Sequence, residues 1–116
     1  MTLKYFTIDE FACSETGENK ISYSFVTQLD ALREACGFPF VITSGYRSTT
    51  HSSEVSKPNG PGQHCLGIAA DIAVNGGAQR FILVKQALEM EFTGIGVAKS
   101  FIHIDQRETT PMMWSY

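Results

Sequence analysis

The sequence predicts an α+β fold, two main helices packed on a small, mostly antiparallel sheet, and three observations predict it. An apolar stripe at helical spacing lies in the first third, two short segments in the second half alternate apolar and polar, and glycine turns separate the elements. At 116 residues and 43% hydrophobic content, the chain can bury one core, so a single domain over residues 1–116 is expected.

The first helix is predicted over about residues 23–36. Phe25, Leu29, Leu32 and Cys36 recur at spacings of four, three and four, and Gly37 is placed to stop the helix. Pro39 then opens FVITS, an apolar, β-branched run that reads as a buried strand ending at the turn Ser44-Gly45. Residues 53–63, which include KPNGPG, form the one loop-rich stretch of any length.

Residues 68–74 alternate in a way that bears on chemistry. On a strand, Ile68, Ala70, Ile72 and Val74 point to one side, and Ala69, Asp71 and Ala73 to the other. Asp71 is thereby expected on a face lined by small residues. After the turn Asn75-Gly76-Gly77, a second helix is predicted over residues 79–91, with Phe81, Val84 and Leu88 as its core stripe. GIGVAKSFIHID reads as two short strands joined by a turn near Lys99 and Ser100. In the second of them Phe101, His103 and Asp105 share a face opposite Ile102 and Ile104.

Composition removes several classes of function. Nine Lys and Arg against twelve Asp and Glu give a net charge of −3, which leaves no basic stripe for a phosphate backbone and argues against a nucleic-acid partner. No apolar stretch reaches membrane-spanning length, so no membrane insertion is expected. The opening MTLKYFTIDEF lacks the basic and apolar regions of a secretory signal, so cytoplasmic synthesis is expected. Cys13, Cys36 and Cys65 form no CxxC pair, which predicts reduced thiols rather than disulfides or a thiolate cluster. A monomer is expected.

Neutral imidazole and carboxylate suit zinc, and a catalytic zinc site offers three protein ligands and one open position. His64, Asp71 and His103 supply that set. His64 ends the loop, a bend at Gly67 would swing it and Asp71 toward one point, and His103 would come from a strand pairing beside the first. On spacing alone, a metal site and a set of hydrogen-bonded core residues both remain open readings.

The combination of SGYRS, QHCLGIAADI and GIGVAKSFIHID, in that order, resembles the M15 family of zinc D-Ala-D-Ala peptidases. Within it, the chain is similar to the small domains that include phage endolysins and murein peptidases, related in fold to the hedgehog signalling domain. The segments YFTIDEFACSETG and FVTQLDALREACGFPFVITSGYRS extend the resemblance over almost the whole chain. The family's pattern of His, then Gly-x-Ala-x-Asp, falls on His64, Gly67, Ala69 and Asp71. The resemblance implies Zn2+ held by His64, Asp71 and His103 on the open face of the sheet. It also implies hydrolysis of amide bonds in peptidoglycan stem peptides or cross-links, by carboxypeptidase or endopeptidase action. An endolysin of this kind would reach the wall through a phage-encoded membrane pore.

The resemblance gives Arg47, in SGYRS, an electrostatic role toward a carboxylate or an oxyanion, for which its fork of donors is suited. Ser44 and Gln63 flank the expected site as candidate substrate-binding residues. Many relatives carry an acid three positions before the last histidine, where this chain has Ser100. The nearest carboxylate is Asp105, which reads as a general base, as a partner orienting a ligand, as a ligand itself with His103 handling the proton, or as a strand-ending cap. His51 reads as peripheral, Cys65 as a core residue, and Trp114 and Tyr116 as an apolar closure over the sheet. The missing acid at Ser100 also keeps a rival in view, a non-catalytic zinc-containing binding module of the same fold.

Overall fold

A computed structural model describes residues 3–55, 57 and 62–116. Its elements run α1 (Tyr23–Cys36), β1 (Ile42–Ser44), α2 (Ser52–Val55), β2 (Ala69–Ala73), α3 (Gly76–Glu89), β3 (Gly94–Val97), β4 (Phe101–Asp105) and β5 (Met112–Ser115), with 3-10 turns at Ile8–Phe11 and Gln63–Leu66. The five strands form one sheet in the order β1-β2-β4-β3-β5, antiparallel except for the parallel pair β3 and β5. The α+β architecture is therefore as the sequence predicts.

Helix α1 has the predicted bounds, with a cap at each end. The Ser22 side chain accepts from the Phe25 amide, and Gly37 leaves the helix at φ 76°. Its stripe of Phe25, Leu29, Leu32 and Cys36 is buried. Helix α3 departs from expectation in two ways. It begins at Gly76, so the two turn glycines open its first turn instead of preceding it. Its core face is Leu83 and Ala87, whereas Phe81 is 69% and Leu88 54% exposed. Of the stripe at 81, 84 and 88, Val84 alone packs partly against the core, while Leu83 and Ala87 take the fully buried positions of the helix, which packs on α1 and β4.

The sheet separates two environments. On the helix side, Ala70, Ile72, Ile95, Ile102 and Ile104 are at most 1% exposed and join the core with Phe25, Leu29 and Leu83. The strand predicted over FVITS is shorter than expected, since Phe40 packs in the core before β1 begins and Val41 is exposed. Strands β2 and β4 pair with Asp71 directly opposite His103 and Ala69 opposite Asp105. Their polar residues thus project together from the face away from the helices. The predicted loop at 53–63 lies in part outside the described residues; Ser53 to Val55 belong to α2, and Gln63 opens a 3-10 turn.

Candidate metal centre

His64, Asp71 and His103 come together. One ligand atom from each lies within 4.8 Å of the others, and all three residues are buried. Asp71 Oδ1 is 3.3 Å from His64 Nε2 and 3.0 Å from His103 Nδ1. Ligands about 2.0–2.1 Å from a tetrahedral zinc stand roughly 3.3 Å apart, so these spacings fit the coordination shell of such an ion.

Local structure explains how each side chain arrives there. His64 sits on the 3-10 turn Gln63–Leu66, and Gly67 ends that turn at φ 75°. A Cβ at Gly67 would lie 2.3 Å from the Lys20 carbonyl oxygen, so the bend expected at this residue admits only glycine. The His64 Nδ1–H donates to the Gly45 carbonyl at 2.7 Å. A carbonyl can only accept, so Nδ1 keeps its proton and Nε2 is the nitrogen that faces Asp71, available as a ligand atom whenever the ring is neutral. His103 is held by its other nitrogen: Nε2 meets Asp105 Oδ2 at 2.7 Å, leaving Nδ1 toward Asp71. Each histidine is thus anchored through one nitrogen and presents the other, the arrangement usual for imidazoles that bind metal.

The charges reinforce one another. Burial would raise the Asp71 carboxyl, but hydrogen bonds from His103 and His64 and the charge on those rings outweigh it and hold the group well below the carboxylate range. Burial would lower His103, yet its hydrogen bonds to Asp105 and Asp71 prevail and hold it above its ordinary value. Asp105 is held down to about 2, its burial being offset by His103 and Arg107. With a cation on Nδ1 instead of a proton, the same two carboxylates would stabilise the ligand set.

Of the roles open for Asp105, the geometry favours orienting a ligand. Its side chain is fully buried, and both oxygens are taken, by His103 and by Arg107. It does not line the cavity, and it lies outside the group of converging ligand atoms. Arg47 reaches the site as expected: Nη2 is 3.5 Å from Asp71 Oδ2, while Nη1 pairs with Glu54 and Nε donates to Ser44. Ser44 therefore steadies Arg47 and sits apart from the cavity, whereas Gln63 lines it. His51 bonds Ser53 and Glu15, away from the centre.

Two sequence readings need correction, and one residue is new. Cys65 is only partly buried and stands against Glu54 instead of packing in the core, because its segment is a 3-10 turn and not an extended strand. Burial and the Glu54 charge push its thiol up to about 11, which keeps it protonated. Trp114 and Tyr116 wall the site, instead of closing an apolar surface, since β5 lies beside β3 and brings Trp114 within 5.2 Å of the His103 ring. Glu54 has no place in the sequence reading at all. Its side chain is 0% exposed and accepts from Arg47, Lys57 and the Gly62 amide.

The open face encloses a cavity of about 390 Å³ lined by Arg47, Lys57, Gln63, His64, Asp71, Phe101, His103, Arg107, Trp114 and Tyr116, among others. Two glycines on β3 make room for the side chains that support and wall the site. Gly94 lies opposite Asp105 and Gly96 opposite His103; a Cβ at Gly94 would fall 2.1 Å from Asp105 Oδ1, and one at Gly96 2.6 Å from Trp114 Nε1. Among the described residues, no helix is long and apolar enough to cross a membrane.

A search of curated proteins gives no match to the chain. A family model described as Peptidase M15 matches residues 4–105, a span that takes in the SGYRS segment, both histidines and both aspartates of the site. The chain accordingly belongs to the M15 peptidase family.

Proposed function

We propose that this peptidase is zinc-dependent and hydrolyses amide bonds in the peptide part of bacterial peptidoglycan, as a carboxypeptidase or an endopeptidase. The observation that carries the zinc reading is the pair of anchored imidazoles. His64 is tied to a carbonyl and His103 to a carboxylate, and their other nitrogens stand at ligand spacing around Asp71 Oδ1. When bound there, zinc supplies Lewis acidity, polarising a carbonyl and acidifying a water at neutral pH.

The chain's own residues supply positioning and charge. Arg47, locked by Ser44 and Glu54, directs Nη2 toward the site, where it suits the oxygen of a substrate carbonyl as negative charge develops on it. Phe101, Trp114 and Tyr116 form an aromatic wall against which a peptide can lie. Arg47, Lys57 and Arg107 balance Glu54, Asp71 and Asp105 one for one, so a divalent ion would leave the cavity with surplus positive charge. That balance favours a peptide carrying carboxylates of its own, as peptidoglycan stem peptides do.

A second reading, the zinc-containing binding module, draws on one observation. Among the described residues, Asp71 is the one carboxylate lining the cavity, and it stands at a ligand position. The peptidase reading therefore takes the proton carrier from solvent or from the substrate. Mass spectrometry of defined muropeptides, incubated with zinc-loaded protein, with chelated protein and after zinc is restored, tests the proposal. Cleavage that follows zinc and is absent from His64→Ala supports it; retained zinc with no product identifies the module instead.

A further inference from the structure

We propose that Arg107 is a positioning residue for the metal centre: clamped between Trp114 and Asp105, it holds that carboxylate against His103 Nε2 so that Nδ1 stays turned to the ion. The inference rests on the zinc reading above. Both Arg107 and Trp114 lie beyond the residues that the family model matches, which end at Asp105.

The geometry is specific. Arg107 Nε donates to both Asp105 oxygens, at 3.0 and 3.2 Å, Nη2 donates to Oδ2 at 2.6 Å, and its backbone N–H donates to Oδ1 at 3.0 Å. This is the fork that a guanidinium makes and an ammonium does not. The other side of the same carboxylate receives His103 Nε2. The guanidinium carbon lies 4.8 Å from the centre of the Trp114 ring, within reach of a cation–π contact. Beneath them Gly94 offers no side chain, and the Asp105 carboxylate fills the space a Cβ would take.

The consequence runs through four residues. Trp114 fixes the plane of Arg107, Arg107 fixes both oxygens of Asp105, and Asp105 fixes the ring orientation and the proton of His103. An Asp105 freed from Arg107 could rotate, and His103 would lose the acceptor that selects its tautomer. Such outer partners are typically worth about 10- to 100-fold in metal affinity. A purely structural account, in which Arg107 only neutralises a buried charge, predicts that lysine serves equally well.

The test measures zinc affinity by competition with a chromogenic chelator, for the full chain and for Arg107→Lys, Arg107→Ala and Trp114→Leu, each checked for folding by circular dichroism. Zinc affinity is expected to fall about 10-fold or more in Arg107→Lys, and further in Arg107→Ala. Millimolar guanidinium is expected to restore part of the loss in Arg107→Ala. Long-range proton–nitrogen correlation spectra of the zinc-loaded proteins are expected to show the His103 Nε2–H signal displaced in Arg107→Lys. Equal zinc affinity in the wild type and a folded Arg107→Lys would overturn the positioning role. Failure of the wild-type chain to bind zinc would overturn the metal reading itself and this one with it.

Discussion

Replacing Glu54 by glutamine isolates the worth of one buried charge. The carboxylate has a side chain that is 0% exposed and takes hydrogen bonds from Arg47 Nη1 at 3.0 Å, Lys57 Nζ at 2.9 Å and the Gly62 amide at 2.9 Å. Burial by itself would raise its pKa, but these donors and the Cys65 thiol lower it from 4.5 to about 2. At about 1.4 kcal/mol per tenfold change in proton affinity, that depression is worth about 3 kcal/mol of folding free energy. Because the folded pKa is the lower one, the contribution is complete above the unfolded value of 4.5 and is lost as pH falls toward 2. Urea unfolding of the wild type and Glu54→Gln, in chelator and at several pH values, measures it. The difference is expected to be about 3 kcal/mol at pH 7 and to shrink steadily below pH 4.5. Asp71 and Asp105 also titrate in acid, but they do so in both proteins and largely cancel. A difference below about 0.5 kcal/mol at pH 7, or one equally large at pH 3, would refute the reasoning.

Other expectations follow from the same geometry. His64→Ala and His103→Ala should each abolish both zinc binding and peptide cleavage, read by elemental analysis and by product release. Zinc must displace a proton from His103, whose pKa is held above 6.5 by Asp105 and Asp71 against the effect of burial, so zinc affinity should decline as pH drops from 8 to 6. An affinity that stays flat across that interval would count against His103 as a ligand. For the metal-free protein the sign reverses: the raised His103 pKa stabilises below its ordinary value and that contribution fades as pH rises through the folded one, which thermal melts in chelator would show. Gly96→Ala should drive a methyl group against Trp114 and Tyr116, lowering stability by about 1–3 kcal/mol and raising KM more than it lowers kcat.

What the sequence made legible depended on how local the determinants are. Helix α1 was legible because its buried stripe has helical spacing and Gly37 stands at its end, while the cap at Ser22 shows only in the structure. Strand alternation set Asp71 and His103 each on the face of its own strand away from the isoleucines, and the pairing of β2 with β4 places them opposite one another. Helix α3 shows the limit of periodicity: residues 81, 84 and 88 fit a helix as well as 83 and 87 do, and only packing decides which pair of turns faces inward. Glu54 and Arg107 were invisible for a different reason. Each matters through a partner brought near by folding, Glu54 through Arg47 and Gly62, Arg107 through Trp114. One signal was present and unused, the alternating glycines of Gly94-Ile95-Gly96, which on a strand mark a close approach by something above it.

The sheet keeps what folds this chain apart from what would act. Every large apolar residue that is fully buried on β2, β3 and β4 points to the helices, while the converging histidines and aspartate stand on the opposite side, braced by a backbone carbonyl and by a neighbouring ion pair. The chain is therefore expected to fold without a metal, in contrast to small domains that collapse only around one, and thermal melts with and without chelator would show it. The zinc proposed for the centre should then be exchangeable for a spectroscopically visible ion of similar size, such as cobalt, without the scaffold unravelling.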